Sequence, residues 1–489
     1  MTTSKDNEEE IQRKYRPFIN LWDRYSSEFN DLIKSLMVLI RHGDNADSQH
    51  TRAEPLENFK RVLSGWKQAQ KIIACELTIR LSRVEQLEKE KKSAHSIKDY
   101  ETKQKCIRDA SRIKSEIIIL RRCIDSIVWI ILDNEHSSIR RLPINGNPDN
   151  LSVFNIHDSM TVADEINADP MAIAIITDMT TFVHTGDLLA IIPKQGIALI
   201  EIKSGKKNIE FTEAAKFSVL SECPYFDDVY TEEFNENDLK HYQRSKRQFK
   251  RSQNVIEAIV TGSGFDNLAQ SPVRIWDKNF QPNFYTDEII DLWFKVYNGK
   301  LWAIQDINEC LYIGAYSNTD MGFVGFNSWM DGCKISGTVF NILDSFSDPL
   351  SRPFFNLNLP DKLLLDIISG DLIVVLCLDH KKFAERANKK HSGLYKVLDF
   401  PSTIADTIDM LSVDGKGIAS YVDSKASFIG SGYETRIIFD QHYPDNLIDW
   451  SYKISDLKKG IDKKKRIEKK IAQKKIKEAR KRSKKKRSS

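Results

Sequence analysis

Three side chains between positions 187 and 203 have the types and spacing for phosphodiester chemistry. The apolar patterns of 182–192 and 196–203 predict two strands joined by a short turn that contains proline and glycine. Asp187 lies near the start of the first strand, and Glu201 and Lys203 lie at the end of the second. In an antiparallel hairpin these two ends are neighbours, so Asp187 is expected beside Glu201 and Lys203. Residues two apart on a strand share a face, which places Glu201 and Lys203 together.

Two carboxylates and an amine at one strand end have a specific chemical use. Hard cations such as Mg²⁺ prefer oxygen ligands, and one or two carboxylates commonly hold them next to substrate phosphates. A metal in such a site polarises the phosphodiester and lowers the pKa of a bound water. A neighbouring lysine orients the water or offsets charge that develops on the phosphate.

The order acid, hairpin-length gap, then Glu201-Ile202-Lys203 resembles the PD-(D/E)xK nuclease superfamily, over about residues 115–265. Gly186 stands where that family often has proline. The resemblance implies an endonuclease in which Asp187, Glu201 and Lys203 are catalytic. It also implies Mg²⁺ or Mn²⁺ held by Asp187, Glu201 and the main-chain carbonyl of Ile202. The implied substrate is nucleic acid, DNA rather than RNA.

Other acids compete for a place in this site. Asp178 ends an apolar run and is an alternative to Asp187, but its gap to Glu201 is too long for one tight hairpin. Glu135 and Glu165 stand on candidate helices before the hairpin, where some members of the family carry an outer ligand. For both of these acids, an ordinary surface role is the favoured interpretation.

The resemblance also implies a helix, a mixed sheet of three or more strands, and a second helix beyond the lysine. The pattern predicts the first helix either up to Arg141 or over 159–166, and the second over 232–262. The second helix carries polar side chains of a type that members of the family direct toward the active site. The favoured interpretation is nevertheless that these residues form a basic helix face exposed to solvent. These residues are Gln243, Arg247, Gln248 and Arg251.

Periodicity divides the rest of the chain into further segments. Residues 1–56 form an N-terminal segment with one apolar helical stretch at 29–40. Residues 57–132 carry apolar residues at helical spacing, which predicts a long helical hairpin with a charged turn near 88–96. Strand patterns at 301–304, 311–316, 372–378 and 436–439 predict a C-terminal α+β domain over 266–452. The predicted fold class is therefore α/β multi-domain, with a restriction-endonuclease-like core between the helical hairpin and the C-terminal domain.

A Lys/Arg-rich tail at 453–489 carries the basic character of the chain. Within 458–489 there are 18 Lys or Arg and 3 acidic residues, whereas the full chain has a net charge of +4. The body is therefore mildly acidic, and the tail suits contact with phosphate groups independent of sequence.

Composition restricts the class of protein. With 489 residues, of which 41% are hydrophobic and 29% charged, the chain can bury a core and is not disordered as a whole. The seven cysteines include no CxxC pair, and no secretory signal or apolar run of membrane-spanning length is visible. These features predict a cytoplasmic protein that does not associate with membranes.

Two functional hypotheses remain. The first is a metal-dependent nuclease, which by analogy of fold suits restriction or phage defence in a bacterium. Its helical hairpin would mediate homo-oligomerisation or bind a regulatory protein. The alternative is a non-catalytic nucleic-acid-binding or scaffold protein that dimerises through the hairpin. Only the first hypothesis predicts a divalent metal and cleavage.

Overall fold

The computed structural model describes most of the chain in several stretches. These are 11–12, 14–19, 25–44, 54–143, 151–203, 205–221, 223–267, 270–275, 280, 282–401, 410–422 and 425–457. The basic residues of 458–489, and parts of the N-terminal segment 1–56, lie outside the described residues.

Long helices dominate the first half of the chain, and shorter ones follow. In chain order they are α1 Ser27–His42, α2 Pro55–Ser96, α3 Tyr100–Ile131, α4 His136–Ile139, α5 Val153–Asn167, α6 Lys206–Ser221, α7 Phe226–Tyr230, α8 Glu236–Thr261, α9 Thr286–Tyr297, α10 Thr319–Gly332, α11 Asp361–Ser369, α12 His380–Lys390, α13 Gly432–Ile438 and α14 444–457.

The strands form several small sheets. They are β1 Ile173–Ile176, β2 Leu188–Ile192, β3 Gly196–Ile200, β4 Ser263–Asp266, β5 Ser271–Arg274, β6 Trp302–Ile307, β7 Leu311–Tyr316, β8 Val339–Asn341, β9 Ile373–Leu378, β10 Tyr395–Leu398, β11 Ser412–Val413, β12 Lys416–Val422 and β13 Lys425–Phe428. Every strand pair among the described residues is antiparallel. The fold is therefore mixed α/β, with long helices and small antiparallel sheets.

The chain divides into two compact units. The central unit comprises Ile19–Asn279 and Ile342–Leu372, and the terminal unit comprises Met1–Phe18, Phe280–Asn341 and Ile373–Ser489. No helix in the described part of the chain combines the length and the apolar character needed to cross a membrane.

In the central unit, α2 and α3 form the long helical hairpin expected for 57–132. The turn is at Ile97–Asp99 rather than in the charged segment 88–96, which is helical. Charged residues with long side chains are good helix formers, and Glu88 pairs with Lys91 one turn further on. Gly65 allows α2 to approach the end of α1, since a Cβ there would lie 2.5 Å from the Cα of Gly43.

The central unit also contains the three-stranded sheet β1–β2–β3, in that order. A mixed sheet was expected here, and that prediction is wrong for the described strands. Eleven residues (177–187) separate β1 from β2, whereas a parallel pairing needs a crossover of a dozen or more.

The outer edge of β1 is covered by side-chain amides rather than by another strand. Gln70 of α2 donates to the Ala174 carbonyl at 2.9 Å and accepts from the Ile176 N–H at 3.0 Å. Asn167 makes a second pair of bonds to the backbone of Ala174. Because these amides occupy the donors and acceptors of the edge, they prevent extension of the sheet on that side.

Two arginines, Arg122 and Arg41, hold Ile342–Leu372 to the helices of the central unit. Arg122, 1% exposed, bonds to Asp125 at 2.9 Å and to the Ser351 carbonyl at 2.8 Å. Arg41 bonds to Asp361 at 2.8 Å and to three backbone carbonyls before it. This segment falls inside the predicted domain 266–452, but these contacts place it in the central unit.

In the terminal unit, the sheet has the order β6–β7–β9–β8, and α10 packs against it through Phe326. The predicted strands at 301–304, 311–316 and 372–378 correspond to β6, β7 and β9. The predicted strand at 436–439 is wrong, because 436–438 belong to α13. A short buried apolar run has the same appearance in a helix and in a strand.

Two helix boundaries before the sheet also differ from the sequence expectations. The first candidate helix ends at Ile131 rather than at Arg141, since Asp133 and Asn134 have φ values of 55° and 54°. The second begins at Val153 rather than at 159, because the Ser152 side chain caps it by accepting from the Asn155 N–H at 3.1 Å.

Candidate functional site

Asp187 lies at the point where the loop from β1 enters β2. Its N–H donates to the Ile200 carbonyl at 2.8 Å, and its carbonyl accepts from the Thr177 N–H at 3.0 Å. The residue is therefore held by the backbones of both neighbouring strands. Gly186, before it, has φ +76°, and its Cβ position lies 3.3 Å from the Ile200 carbonyl oxygen. The chain makes a left-handed turn here that favours glycine over the proline of the resembled family.

The Asp187 carboxylate faces the end of β3. Its Oδ2 accepts a hydrogen bond from the Ile202 N–H at 2.5 Å. Burial and the negative charge of Glu201 raise the pKa of Asp187 from 3.8 to about 6, with a further contribution from Asp178. The Ile202 hydrogen bond and the charge of Lys203 oppose that rise in pKa without cancelling it.

Lys203 and Glu201 contact each other as expected, but the predicted strand 196–203 is too long, because β3 ends at Ile200 and both residues lie just beyond it. Lys203 Nζ lies 3.1 Å from Glu201 Oε2, and the side chains are 22% and 17% exposed respectively. Lys203 Nζ also donates to Gln248 Oε1 at 3.2 Å, which brings α8 to the end of the sheet. The sequence favoured a solvated basic face for this helix, and that interpretation is wrong for Gln248. Arg247 and Arg251 are exposed, as expected.

Asp178 lies close enough to Asp187 to raise its pKa. It is in the turn Thr177–Met179 directly after β1, and Ile176 of β1 pairs with Leu188 of β2. Asp178 therefore joins Asp187 rather than replacing it. Asn155 of α5 donates to Asp178 Oδ2 at 3.1 Å and fixes this carboxylate.

No sequence pattern predicted a role for Asn155, and Asp178 was predicted only as an alternative to Asp187. The available signal was the buried run Ile173–Ile176, which is a strand in its own right.

The two other candidate acids lie elsewhere. Glu165 is exposed on α5. Glu135 precedes α4 and accepts from the Ser138 hydroxyl at 3.1 Å. Neither residue contributes to the shift in the pKa of Asp187.

Buried polar contacts from α3 fix the loop between Asp178 and Asp187. Asp125 Oδ1 accepts from the Thr181 N–H at 2.9 Å, and Arg121 Nε donates to the Thr180 carbonyl at 3.1 Å. Asp125 is fully buried and bound to Arg122. These contacts connect the position of both acids to the core of the central unit.

The donors at the sheet end are compatible with a Mg²⁺ ion that keeps most of its waters. Among the described residues, no group of three or more His, Cys, Asp and Glu is arranged to hold a metal. The expected ligands are the carboxylates of Asp187 and Glu201 and the Ile202 carbonyl. Mg²⁺ commonly binds to so few protein oxygens, because it keeps several of its waters. Burial first, and then the negative charge of Glu201, raise the pKa of Asp187, and a cation bound beside it would favour its ionised form.

Comparisons with protein-family models, with curated proteins and with solved structures found no match to this chain.

Proposed function

We propose that this protein is a metal-dependent nuclease that hydrolyses phosphodiester bonds of nucleic acid, with DNA favoured. The observation that carries the proposal is the meeting of Asp187, Glu201 and Lys203 at one end of the sheet, with the pKa of Asp187 raised to about 6. An ordinary surface ion pair lowers the pKa of its acid, and Asp187 has the opposite shift.

Asp187, Glu201 and the Ile202 carbonyl would hold Mg²⁺ or Mn²⁺. Bound there, the metal would supply Lewis-acid polarisation of the phosphodiester and a water of lowered pKa. The side chains of the protein would orient the attacking water and the phosphate. The Lys203 ammonium has three N–H donors, of which Glu201 and Gln248 accept two. The third can bind the attacking water or a phosphate oxygen.

A cleavage assay tests the proposal. Purified protein should degrade linear, supercoiled or single-stranded DNA with Mg²⁺ or Mn²⁺ and stop with chelator. Asp187→Asn, Glu201→Gln and Lys203→Met should each lower the rate by at least 100-fold, in the range found when one oriented catalytic group is removed. The matched controls Glu213→Gln and Lys216→Met change exposed residues of α6 and should cleave at the wild-type rate.

The basic tail is the second part of the proposal, and measurement of DNA binding over a range of salt concentrations tests it. A chain that ends at Leu457 loses a local charge of +15. It should bind DNA more weakly and with a flatter salt dependence. If no DNA or RNA substrate is cleaved with either metal, the nuclease proposal is wrong and the non-catalytic binding protein is the remaining hypothesis.

A further inference from the structure

The terminal unit contains a cavity of about 630 Å³ whose walls are mainly apolar. It lies between β6, β7 and the start of α10, and Trp302, Tyr316 and Trp329 supply its aromatic surfaces. Aliphatic side chains complete the wall, and Asn318 and Asp320 are its polar side chains apart from Tyr316. Ligand pockets commonly have volumes of about 300–1,000 Å³ and this kind of lining. This space is called the Trp302 cavity below.

Two of its aromatic residues differ in how far they are exposed. Trp302 is 51% exposed and stands opposite Tyr316 in the β6–β7 pairing. Tyr316 is 1% exposed, and its hydroxyl has no hydrogen-bond partner among the described residues. Burial raises the pKa of Tyr316, so its O–H stays protonated. The exposed indole of Trp302 is therefore the surface on which a planar ring can stack.

The charge at the rim restricts the ligand further. Asp320 is exposed and accepts a hydrogen bond from the Tyr15 hydroxyl at 2.7 Å. A carboxylate there favours an amino group of the ligand and disfavours a phosphate beside it. Adenine, cytosine and guanine each combine a flat ring, acceptor nitrogens or oxygens, and an exocyclic amino group.

A second cavity of about 540 Å³ shares Trp329 with the first and is lined by three basic side chains (Lys382, Arg386, Lys389) and three acidic ones (Asp306, Glu309, Glu385). Its Arg386 and Lys389 lie 3.5 Å and 3.2 Å from the carboxylate of Glu309. Lys382 instead bonds to the Tyr312 hydroxyl at 2.8 Å and to the Cys333 carbonyl at 3.2 Å, and makes no ion pair within the described residues. Lys382 therefore has a positive charge available for an anion. Two adjoining cavities, one aromatic and one with this cation, match the two ends of a nucleotide.

We propose that the terminal unit binds a nucleotide, with the base in the Trp302 cavity and the phosphate at Lys382. The base stacks on the exposed indole of Trp302, and the Asp320 carboxylate accepts from its amino group. The ligand comes either as a free mononucleotide or as one unit of a single strand. This proposal does not depend on cleavage at Asp187.

Equilibrium binding to the full chain tests the proposal in chelator, where no metal-dependent cleavage occurs. The probes are AMP, adenosine, a short oligo-dA and tetramethylammonium, measured by calorimetry. Trp302→Ala should weaken AMP and adenosine alike by about 5- to 150-fold, the range for loss of one base–aromatic stack. Lys382→Gln should weaken AMP but leave adenosine unchanged. Two control variants change an exposed aromatic residue and an exposed lysine close by in the sequence. These variants, Tyr297→Ala and Lys381→Gln, should bind both ligands as the wild type does.

The outcomes separate the alternatives. Tighter binding of oligo-dA than of AMP would identify a single strand as the ligand, and the reverse would identify a free nucleotide. Either result supports the proposal if Trp302→Ala weakens binding of the preferred ligand. Binding of tetramethylammonium without adenosine would make the cavity an aromatic cage for quaternary ammonium groups and overturn the proposal. Absence of binding by every probe, or wild-type binding by Trp302→Ala, overturns it as well.

Discussion

Replacing Asp187 by Asn should stabilise the metal-free protein at neutral pH. The carboxylate is half-buried and lies near Glu201 and Asp178, so its ionised form is disfavoured in the folded state. Asparagine removes the charge but keeps an oxygen that can accept the Ile202 N–H. The substitution therefore relieves repulsion without losing the hydrogen bond.

The magnitude follows from the pKa. Raising the pKa of Asp187 from 3.8 to about 6 corresponds to about 3 kcal/mol, at about 1.4 kcal/mol for each pKa unit. Screening by water at this partly exposed position makes that figure an upper limit. Because the folded state holds the proton more tightly, wild-type stability falls as pH rises from about 4 to about 6 and is level above that range. The Asn variant should lack this decline.

Thermal melting in chelator at pH 4.5 and pH 7.5 measures the effect. The wild type should lose more stability than Asp187→Asn between the two pH values, and the variant should melt higher at pH 7.5. Glu213→Gln, a change at an exposed acid, is the control and should follow the wild type. The reasoning is refuted if Asp187→Asn melts below the wild type at pH 7.5, because that result identifies a carboxylate that stabilises the hairpin.

Magnesium provides the second half of the test. At pH 7.5, Mg²⁺ should stabilise the wild type in proportion to its occupancy and should stabilise Asp187→Asn little. Because the cation and the proton compete for the same carboxylate, rising Mg²⁺ should move the midpoint of this effect below pH 6. Equal stabilisation of wild type and variant would show that Mg²⁺ binds elsewhere.

Two further predictions concern the residues that support the site. Gln248→Leu removes an acceptor from Lys203 and should lower the cleavage rate by several-fold without lowering the melting temperature, whereas Gln248→Glu keeps an acceptor and should restore much of the rate. Arg122→Met leaves the buried Asp125 without its charged partner and removes the hydrogen bonds to the Pro349 and Ser351 carbonyls. It should cost about 3–5 kcal/mol of unfolding free energy in denaturant titration, and a loss below about 1 kcal/mol would show that Arg122 does not hold Ile342–Leu372.

The elements with a repeated pattern were predictable from the sequence. The hairpin of α2 and α3 carries apolar residues at helical spacing over many turns, and β2 and β3 are joined by a recognisable turn. The contact between Lys203 and Glu201 was also expected from their spacing, although both residues lie just beyond the end of β3. These predictions needed only local information.

Features that depend on tertiary pairing were not predictable in the same way. β1 is four buried residues without alternation, and it is recognisable as a strand only through its pairing with β2 and the amide of Gln70. Without knowledge of β1, Asp178 could be considered only as an alternative to Asp187 for the same position in the site. Once β1 pairs with β2, the two acids lie at the same end of the sheet.

The charge balance at that end separates a site from a structural ion pair. Burial raises the pKa of Asp187, the charges of Glu201 and Asp178 add to that rise, and the Ile202 N–H and the ammonium of Lys203 oppose it. A hairpin that needed only stability would be better with an apolar residue or an amide at position 187, since a half-buried carboxylate among like charges opposes folding. Groups with perturbed pKa values concentrate at functional sites, where they interact with a bound ion or substrate. Asp187 is therefore the residue at which the nuclease proposal and the structural alternative make opposite predictions.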